Sequence, residues 1–245
     1  MKSNINIFKN SEKIAEYLIE QWFKIGRQSQ RDTGTFITAL SGGNTPRTFY
    51  QNLALGKSYS HFWNNTHIFQ VDERFTPFDS PDNNFKMIKK DLFENISIPH
   101  SNLHRINTEN CSVSDAAVKY EKELLYCMEL NERANLNFDL IILGLGFDGH
   151  TASLFPESAA LNEEEHYITF VDDAKGLLDR ITMTFKLINR ANNIIFIVEG
   201  EEKSGIIKKI IDDDLKYPGN LLIPENCSCS FLLDEGAASQ LSVNK

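Results

Sequence analysis

Phe138-Asp139-Leu140-Ile141-Ile142-Leu143-Gly144-Leu145-Gly146-Phe147-Asp148-Gly149-His150 is the stretch on which the fold turns. Its first six residues form the most apolar run in the chain and read as a strand, which passes directly into a polar, glycine-rich loop. Segments 35–40 and 67–71 repeat the pattern, ending in Ser41-Gly42-Gly43-Asn44-Thr45-Pro46 and in Asp72-Glu73-Arg74. Helical periodicity fills the intervals. Ile14, Leu18, Trp22 and Ile25 place a helix over 11–28 with Asn10 or Ser11 as its cap. Thr45 as N-cap and Pro46 as first helical residue predict a second helix. Others are expected at 82–94, 114–134, 201–213 and 235–241, and further strands at 167–171, 181–185, 194–198 and 230–233. Apolar strands alternating with helices predict an α/β fold with a mainly parallel sheet covered on both faces. No linker or internal repeat interrupts it, so residues 1–245 read as one domain.

The 245 residues carry 25 Lys+Arg against 34 Asp+Glu, a net charge of −9, with 24% of residues charged. That balance disfavours disorder, and it disfavours non-specific nucleic-acid binding, which needs a basic face. A small phosphorylated ligand is still allowed, because three or four placed cations can hold one phosphate. Neither a signal-length apolar run at the start nor an apolar stretch of about 18 residues occurs. A cytoplasmic protein with no membrane partner is therefore expected. Cys111, Cys127, Cys227 and Cys229 fit no redox or zinc-knuckle spacing and read as free thiols.

In an open parallel sheet, ligands bind beyond the carboxyl ends of the strands, where loops 41–47, 72–74 and 144–151 should converge. The Gly42-Gly43 loop before a helix start reads either as a phosphate cradle, with the Ser41 and Thr45 hydroxyls as added donors, or as a plain tight turn. Arg74 offers a planar fork for a phosphate or carboxylate, or else a strand-end ion pair; Asp72 could orient a hydroxyl or a histidine. Gly144-Leu145-Gly146-Phe147-Asp148-Gly149 matches the dinucleotide fingerprint, with Asp172 near the ribose-acid position. However, Pro156 leaves room for only two helical turns after it.

His150, beside Asp148, is the natural general base, since an imidazole titrates near neutral pH. The other five histidines read as structural or surface. His100 and His104 have metal-like spacing, but no third ligand is evident in the sequence, and no metal site is expected. Arg180 opens a strand. Lys203 opposes the dipole of a helix start unless an anion lies nearby.

Together, Ser41-Gly42-Gly43-Asn44-Thr45-Pro46, Asp72-Glu73-Arg74, the 144–156 segment, Arg180-Ile181-Thr182-Met183-Thr184 and Gly200-Glu201-Glu202-Lys203 resemble the 6-phosphogluconolactonases in order and spacing. Leu233-Asp234-Glu235-Gly236-Ala237-Ala238 resembles that family's ending, so the likeness spans residues 10–240. It implies a Rossmann-like three-layer α/β/α sandwich, shared with glucosamine-6-phosphate deaminases, that needs no metal or cofactor and is often monomeric. The implied reaction is hydrolysis of 6-phospho-D-glucono-1,5-lactone in the oxidative pentose phosphate pathway. By resemblance, His150 matches the general base, and Gly42, Gly43, Thr45, Arg74 and Lys203 surround the sugar phosphate. Asp72 and Arg180 line the sugar end; either Asp148 or Asp72 would hold the imidazole. The deaminases are the rival, but Leu154-Phe155-Pro156 stands where they have Asn-Glu-Pro, and Arg74 where they have Tyr. Asn83 departs from the lactonase pattern, which usually has Ser. A non-catalytic sugar-phosphate-binding module is a further reading, against which the retained His150 counts.

Overall fold

The computed structural model describes residues 4–56, 60–172, 178–213, 215–221 and 228–242; Cys227 lies outside them. The first half runs β1 (Asn4–Phe8), α1 (Ser11–Thr33), β2 (Phe36–Leu40), α2 (Arg47–Leu55), α3 (Ser60–Asn64), β3 (Thr66–Gln70), β4 (Asp72–Arg74), α4 (Asn84–Asp91), β5 (Leu103–His104) and α5 (Val113–Leu130). The second runs β6 (Leu140–Gly144), β7 (Ile168–Val171), β8 (Arg180–Met183), α6 (Phe185–Ile188), β9 (Asn193–Val198), α7 (Ser204–Ile211), α8 (Pro218–Leu221) and β10 (Ser228–Asp234). Seven strands form one parallel sheet in the order β1-β10-β9-β6-β2-β3-β5.

Strand periodicity divides the core cleanly between the two faces. Ile37, Ala39, Ile141, Leu143, Ile194 and Phe196 face one cluster, closed by Tyr120, Leu124 and Met128 of α5 and Ile207 of α7. Their neighbours Phe36, Leu40, Leu140, Ile142, Ile195 and Ile197 face the other, closed by Leu18 and Trp22 of α1 and Phe49 of α2. Successive strand residues point to opposite faces, so unbroken apolar strands require exactly such a two-sided cover. The single acid in the 138–143 run is also explained. Asp139 takes two hydrogen bonds from buried Arg133, both 2.9 Å, and one from Ile37 N at 2.8 Å. Removing one partner of such a buried pair costs about 3–5 kcal/mol.

Several local expectations are corrected. Segments 167–171 and 181–185 do not join the parallel sheet; β7 and β8 pair antiparallel with each other, and β8 with β4, in a separate three-stranded sheet. The link from Val171 to Arg180 is too short for a parallel crossover, which takes a dozen or more residues. Val71 joins the two sheets, donating to Leu40 O at 3.0 Å and accepting from Met183 N at 2.9 Å.

Thr45 does not cap α2. Pro46 already has near-helical angles (φ −78°, ψ 0°), the helix begins at Arg47, and no side chain caps it. Segment 235–241 is a series of turns, because the Asp234 carboxylate takes the amides of Gly200 and Ala237. Both β1 and β5 are edge strands too short or too polar to have been foreseen. Asn10 does cap α1, its side chain accepting from Lys13 N at 3.1 Å.

Candidate active site

The carboxyl ends of β2, β3 and β6, together with the loop after β9, bring the singled-out segments to one edge of the sheet. His150 is fixed first by its own loop. Its Nδ1 lies 2.6 Å from Asp148 Oδ1, which also accepts the His150 amide at 3.1 Å. A Cβ on Gly146 would sit 2.0 Å from that Nδ1, so the imidazole can rest against the loop only because position 146 has no side chain. Gly149 has φ +82°, and Tyr217 packs where its Cβ would be. The Phe155 ring closes the other side, 4.5 Å from the imidazole centroid. No described residue bonds to Nε2, and the side chain is 30% exposed. Burial acts to raise the Asp148 carboxyl, but hydrogen bonds from the His150 amide and ring, with the ring's charge, hold it below the ordinary carboxylate range.

Asp72 makes a different contact. It is buried, and its Oδ2 accepts from Ser153 Oγ at 2.7 Å, tying β4 to the segment after His150. Of the two aspartates considered, Asp148 is therefore the one on the imidazole. Ser41 is also placed otherwise than expected. Its hydroxyl donates to Ile142 O at 2.9 Å, buried, so it fastens the glycine loop to β6 and its hydrogen is not free for a ligand. The amides of Gly42 and Gly43 and the Thr45 hydroxyl meet no described acceptor, and Gly43 has φ +88°. A Cβ on Gly42 would fall 1.9 Å from Asn84 Oδ1, whose amide nitrogen in turn donates to Asp72 O at 3.2 Å.

The cations gather around these loops. Arg74 and Arg180 are direct cross-strand partners on the antiparallel β4–β8 pair, which sets two guanidinium-bearing residues side by side. Arg74 Nη1 donates to Asp82 O at 2.7 Å, while its buried Nε meets no acceptor among the described residues. Arg180 lies over the Phe155 ring, 5.4 Å from its centroid, so the same ring contacts both this guanidinium and the His150 imidazole, the latter at a 43° tilt. Lys203 is buried, donates to Leu145 O at 2.8 Å and sits 3.4 Å from the Phe147 centroid. Burial lowers its ammonium pKa, which Glu202 and Asp148 partly offset.

Sequence reasoning passed over several supports. Glu73 is fully buried, accepting from Gln70 Nε2 and from the amides of Arg74, Asn84 and Phe85 at 2.7–2.8 Å. It thereby fixes β4 to the start of α4; burial pushes it up to about 7 despite those bonds. Asn83 caps α4 by accepting from Lys86 N at 2.9 Å, the same work that a serine does there, so its departure from the lactonase pattern is chemically small. The dinucleotide reading fails locally. No helix opens after Gly149, where Thr151 and Leu154 instead form a bridge. His104 does acquire neighbours, though not His100: it meets His67 of β3 and Cys127 of α5 at the β3–β5 edge.

The family model for glucosamine-6-phosphate isomerases/6-phosphogluconolactonase matches residues 9–230. The chain belongs to this family. A 6-phosphogluconolactonase of Synechocystis sp. is 37% identical over 216 residues, which cover 87% of each chain. The crystal structure of a 6-phosphogluconolactonase from Thermotoga maritima superposes with a TM-score of 0.82 at 28% identity, covering 95% of this chain and 100% of that one. A monomeric glucosamine-6-phosphate deaminase, 15% identical, shares the fold with a TM-score of 0.79 over 96% of this chain and 99% of its own. The α/β/α sandwich is thus common to both branches of the family, and the site must separate them.

Proposed function

We propose that this chain is a 6-phosphogluconolactonase that hydrolyses 6-phospho-D-glucono-1,5-lactone to 6-phosphogluconate, with His150 as general base. The observation that carries the reading is the imidazole held at 2.6 Å by Asp148, its other nitrogen meeting no described residue, at an edge where Arg74, Arg180 and Lys203 collect. Asp148 keeps the proton on Nδ1, so Nε2 presents its lone pair to water. Nε2 takes a proton as the water oxygen attacks C1, and the carbonyl oxygen becomes an oxyanion. The C1 to ring-oxygen bond then breaks, and the imidazolium returns its proton to the departing oxygen as the C5 hydroxyl.

Gly146 N and Gly149 N are bonded to His150 O and Gly146 O. The amides of Gly42 and Gly43, which meet no described acceptor, remain with Thr45 and the cations as donors for the phosphate and the oxyanion. The lactone is an activated ester, so one base with positioning suffices and no nucleophilic side chain is needed. Phe155 favours this branch over the deaminase: an apolar ring, packed on His150, occupies the position of that branch's glutamate.

The same reading takes residues 1–245 as one catalytic domain, which the pairing of β1 with β10 supports. It also takes the enzyme as a cytoplasmic monomer acting on a small molecule, with no membrane or nucleic-acid partner. The free thiols of Cys111 and Cys127 suit that compartment, and among the described residues no helix is long and apolar enough to cross a membrane. The deciding assay follows acid release from freshly generated lactone against the spontaneous rate, beside ammonia release from glucosamine 6-phosphate. Acceleration of the first and none of the second is expected. Ammonia release would move the chain to the deaminase branch, and activity in neither would leave a binding module.

A further inference from the structure

Strand parity places His67 and Phe69 of β3 on one face of the sheet, and the register sets His104 of β5 beside Phe69. The Phe69 ring stacks on His104 at 4.0 Å. On the helix above, Tyr120, Glu123 and Cys127 recur at three- and four-residue spacing and so share one side of α5, and Asn131 caps that helix one turn further on. The result is a convergence of three potential ligand atoms. His67 Nδ1 and His104 Nε2 are 3.1 Å apart, and Cys127 Sγ is 3.6 Å from each. With zinc bonds of about 2.0–2.1 Å to nitrogen and about 2.3 Å to sulfur, tetrahedral angles set the nitrogens about 3.4 Å apart and each about 3.6 Å from the sulfur. The triangle therefore has nearly the edges of a tetrahedral face.

We propose that His67 Nδ1, His104 Nε2 and Cys127 Sγ bind one divalent transition ion, zinc by preference, with the fourth position left to water. The outer partners agree. Glu123 Oε1 lies 2.8 Å from His104 Nδ1, the carboxylate contact that fixes the tautomer and ring of a ligating histidine. Asn131 Nδ2 approaches the Cys127 sulfur at 3.6 Å and supplies a donor to a thiolate. A hydrogen bond between the two imidazoles would satisfy only that pair and leave the equidistant sulfur unexplained. Charge balances as well: a dication, one thiolate and the Glu123 carboxylate sum to zero.

Burial, with His104, depresses the His67 imidazole to about 4, so it is neutral and ready to ligate at physiological pH. Burial and Glu123 push the Cys127 thiol up to about 11, so the ion must displace its proton to solvent. Bound there, the ion would pin the two-residue edge strand β5 to β3 and α5. His67 precedes Asp72 by five residues, roughly 16 Å along an extended chain, so the role is structural rather than catalytic.

Cobalt titration of the intact, chelator-stripped protein tests this. One Co²⁺ per chain should bind with a thiolate-to-cobalt charge-transfer band and the intense visible bands of tetrahedral cobalt, and Zn²⁺ should displace it. Cys127→Ser should abolish the charge-transfer band, and Glu123→Gln should weaken binding about 10–100-fold. Zn²⁺ should raise the Tm of the wild type and not that of Cys127→Ser. Absence of the band in the wild type, or its survival in Cys127→Ser, overturns the site. Should Cys127→Ser fail to fold, half-buried His67→Asn decides, since unchanged cobalt affinity there is equally fatal.

Discussion

Of the three described histidines with a carboxylate at Nδ1, His150 and His104 hold theirs most tightly, and their surroundings differ. His150 has Asp148 at 2.6 Å and His104 has Glu123 at 2.8 Å. The His150 side chain is 30% exposed and the His104 side chain 8%. Beyond His150 the second nitrogen meets no described residue; beyond His104 it meets another imidazole and a thiol. A carboxylate on Nδ1 makes the distal lone pair available in both cases. On the readings proposed above, what that lone pair then does is set by its neighbours: water and a lactone at the cationic edge, a metal ion beside the second imidazole and the thiol.

The sharpest way to break this contrast is to remove each half in turn. His150→Ala should lower turnover of the lactone by about 10²–10⁴, the range for losing a general base. Glu123→Gln should leave turnover unchanged. Steady-state rates corrected for spontaneous hydrolysis decide it: comparable losses in the two variants would merge the two regions into one functional unit.

Next in size is a displacement of the imidazole. In Gly146→Ala the new methyl would stand 2.0 Å from His150 Nδ1 and 2.8 Å from Asp148 Oδ1, so the ring and its partner must shift. A misplacement of about 1 Å can cost about 10²-fold, and the loss should fall on kcat more than on KM. Near wild-type kcat would mean that the Asp148 contact does not set the reactive geometry.

How much of this was legible beforehand differs between the two regions for a physical reason. The candidate edge is written in contiguous loops, each begun by an apolar strand, so the placement of His150, Asp148, Gly42, Arg74 and Lys203 together could be read from where strands end. Their partners were harder. Ser153, Phe155 and Gly146 lay inside a segment already singled out, but nothing local says that one serine turns to Asp72 or that a phenylalanine packs on the base. Tyr217 and Asn84 come from distant segments, and only backbone proximity reveals them. The His67, His104 and Cys127 cluster was invisible for that reason: its members sit on two strands and a helix, and the tempting four-residue spacing of His100 and His104 joined the wrong pair. The antiparallel sheet was missed because β7 (Ile168-Thr169-Phe170-Val171) and β8 (Arg180-Ile181-Thr182-Met183) are short strands whose composition declares no direction; only the short connection tells them apart.

The cations sharpen the contrast at a lower level. Arg74→Ala and Lys203→Ala should each raise KM for the phosphorylated lactone about tenfold or more, the equivalent of losing one charged hydrogen bond of about 1.5–3 kcal/mol. Hydrolysis of unphosphorylated gluconolactone should change little. Equal losses on both substrates would argue that these residues shape the site instead of holding phosphate.

The smallest effect expected is on stability, and its sign separates the regions again. Near the catalytic edge Glu73 is pushed up to about 7 by burial, and Glu199 likewise by burial with Asp234 and Glu12. Between their ordinary value of 4.5 and 7 the folded protein binds more protons than the unfolded chain, so these groups make stability fall as pH rises. His67 is depressed from 6.5 to about 4, so between those values the unfolded chain binds more protons and stability rises with pH. In metal-free protein the two carboxyls outweigh the one imidazole, and the urea midpoint should decline from pH 5 to pH 7. Glu73→Gln should flatten that decline and His67→Asn should steepen it. Added Zn²⁺ should act as the opposite of His67→Asn, because an ion on the imidazole lone pair strengthens its resistance to protonation and makes acid more destabilising at the β3–β5 edge alone.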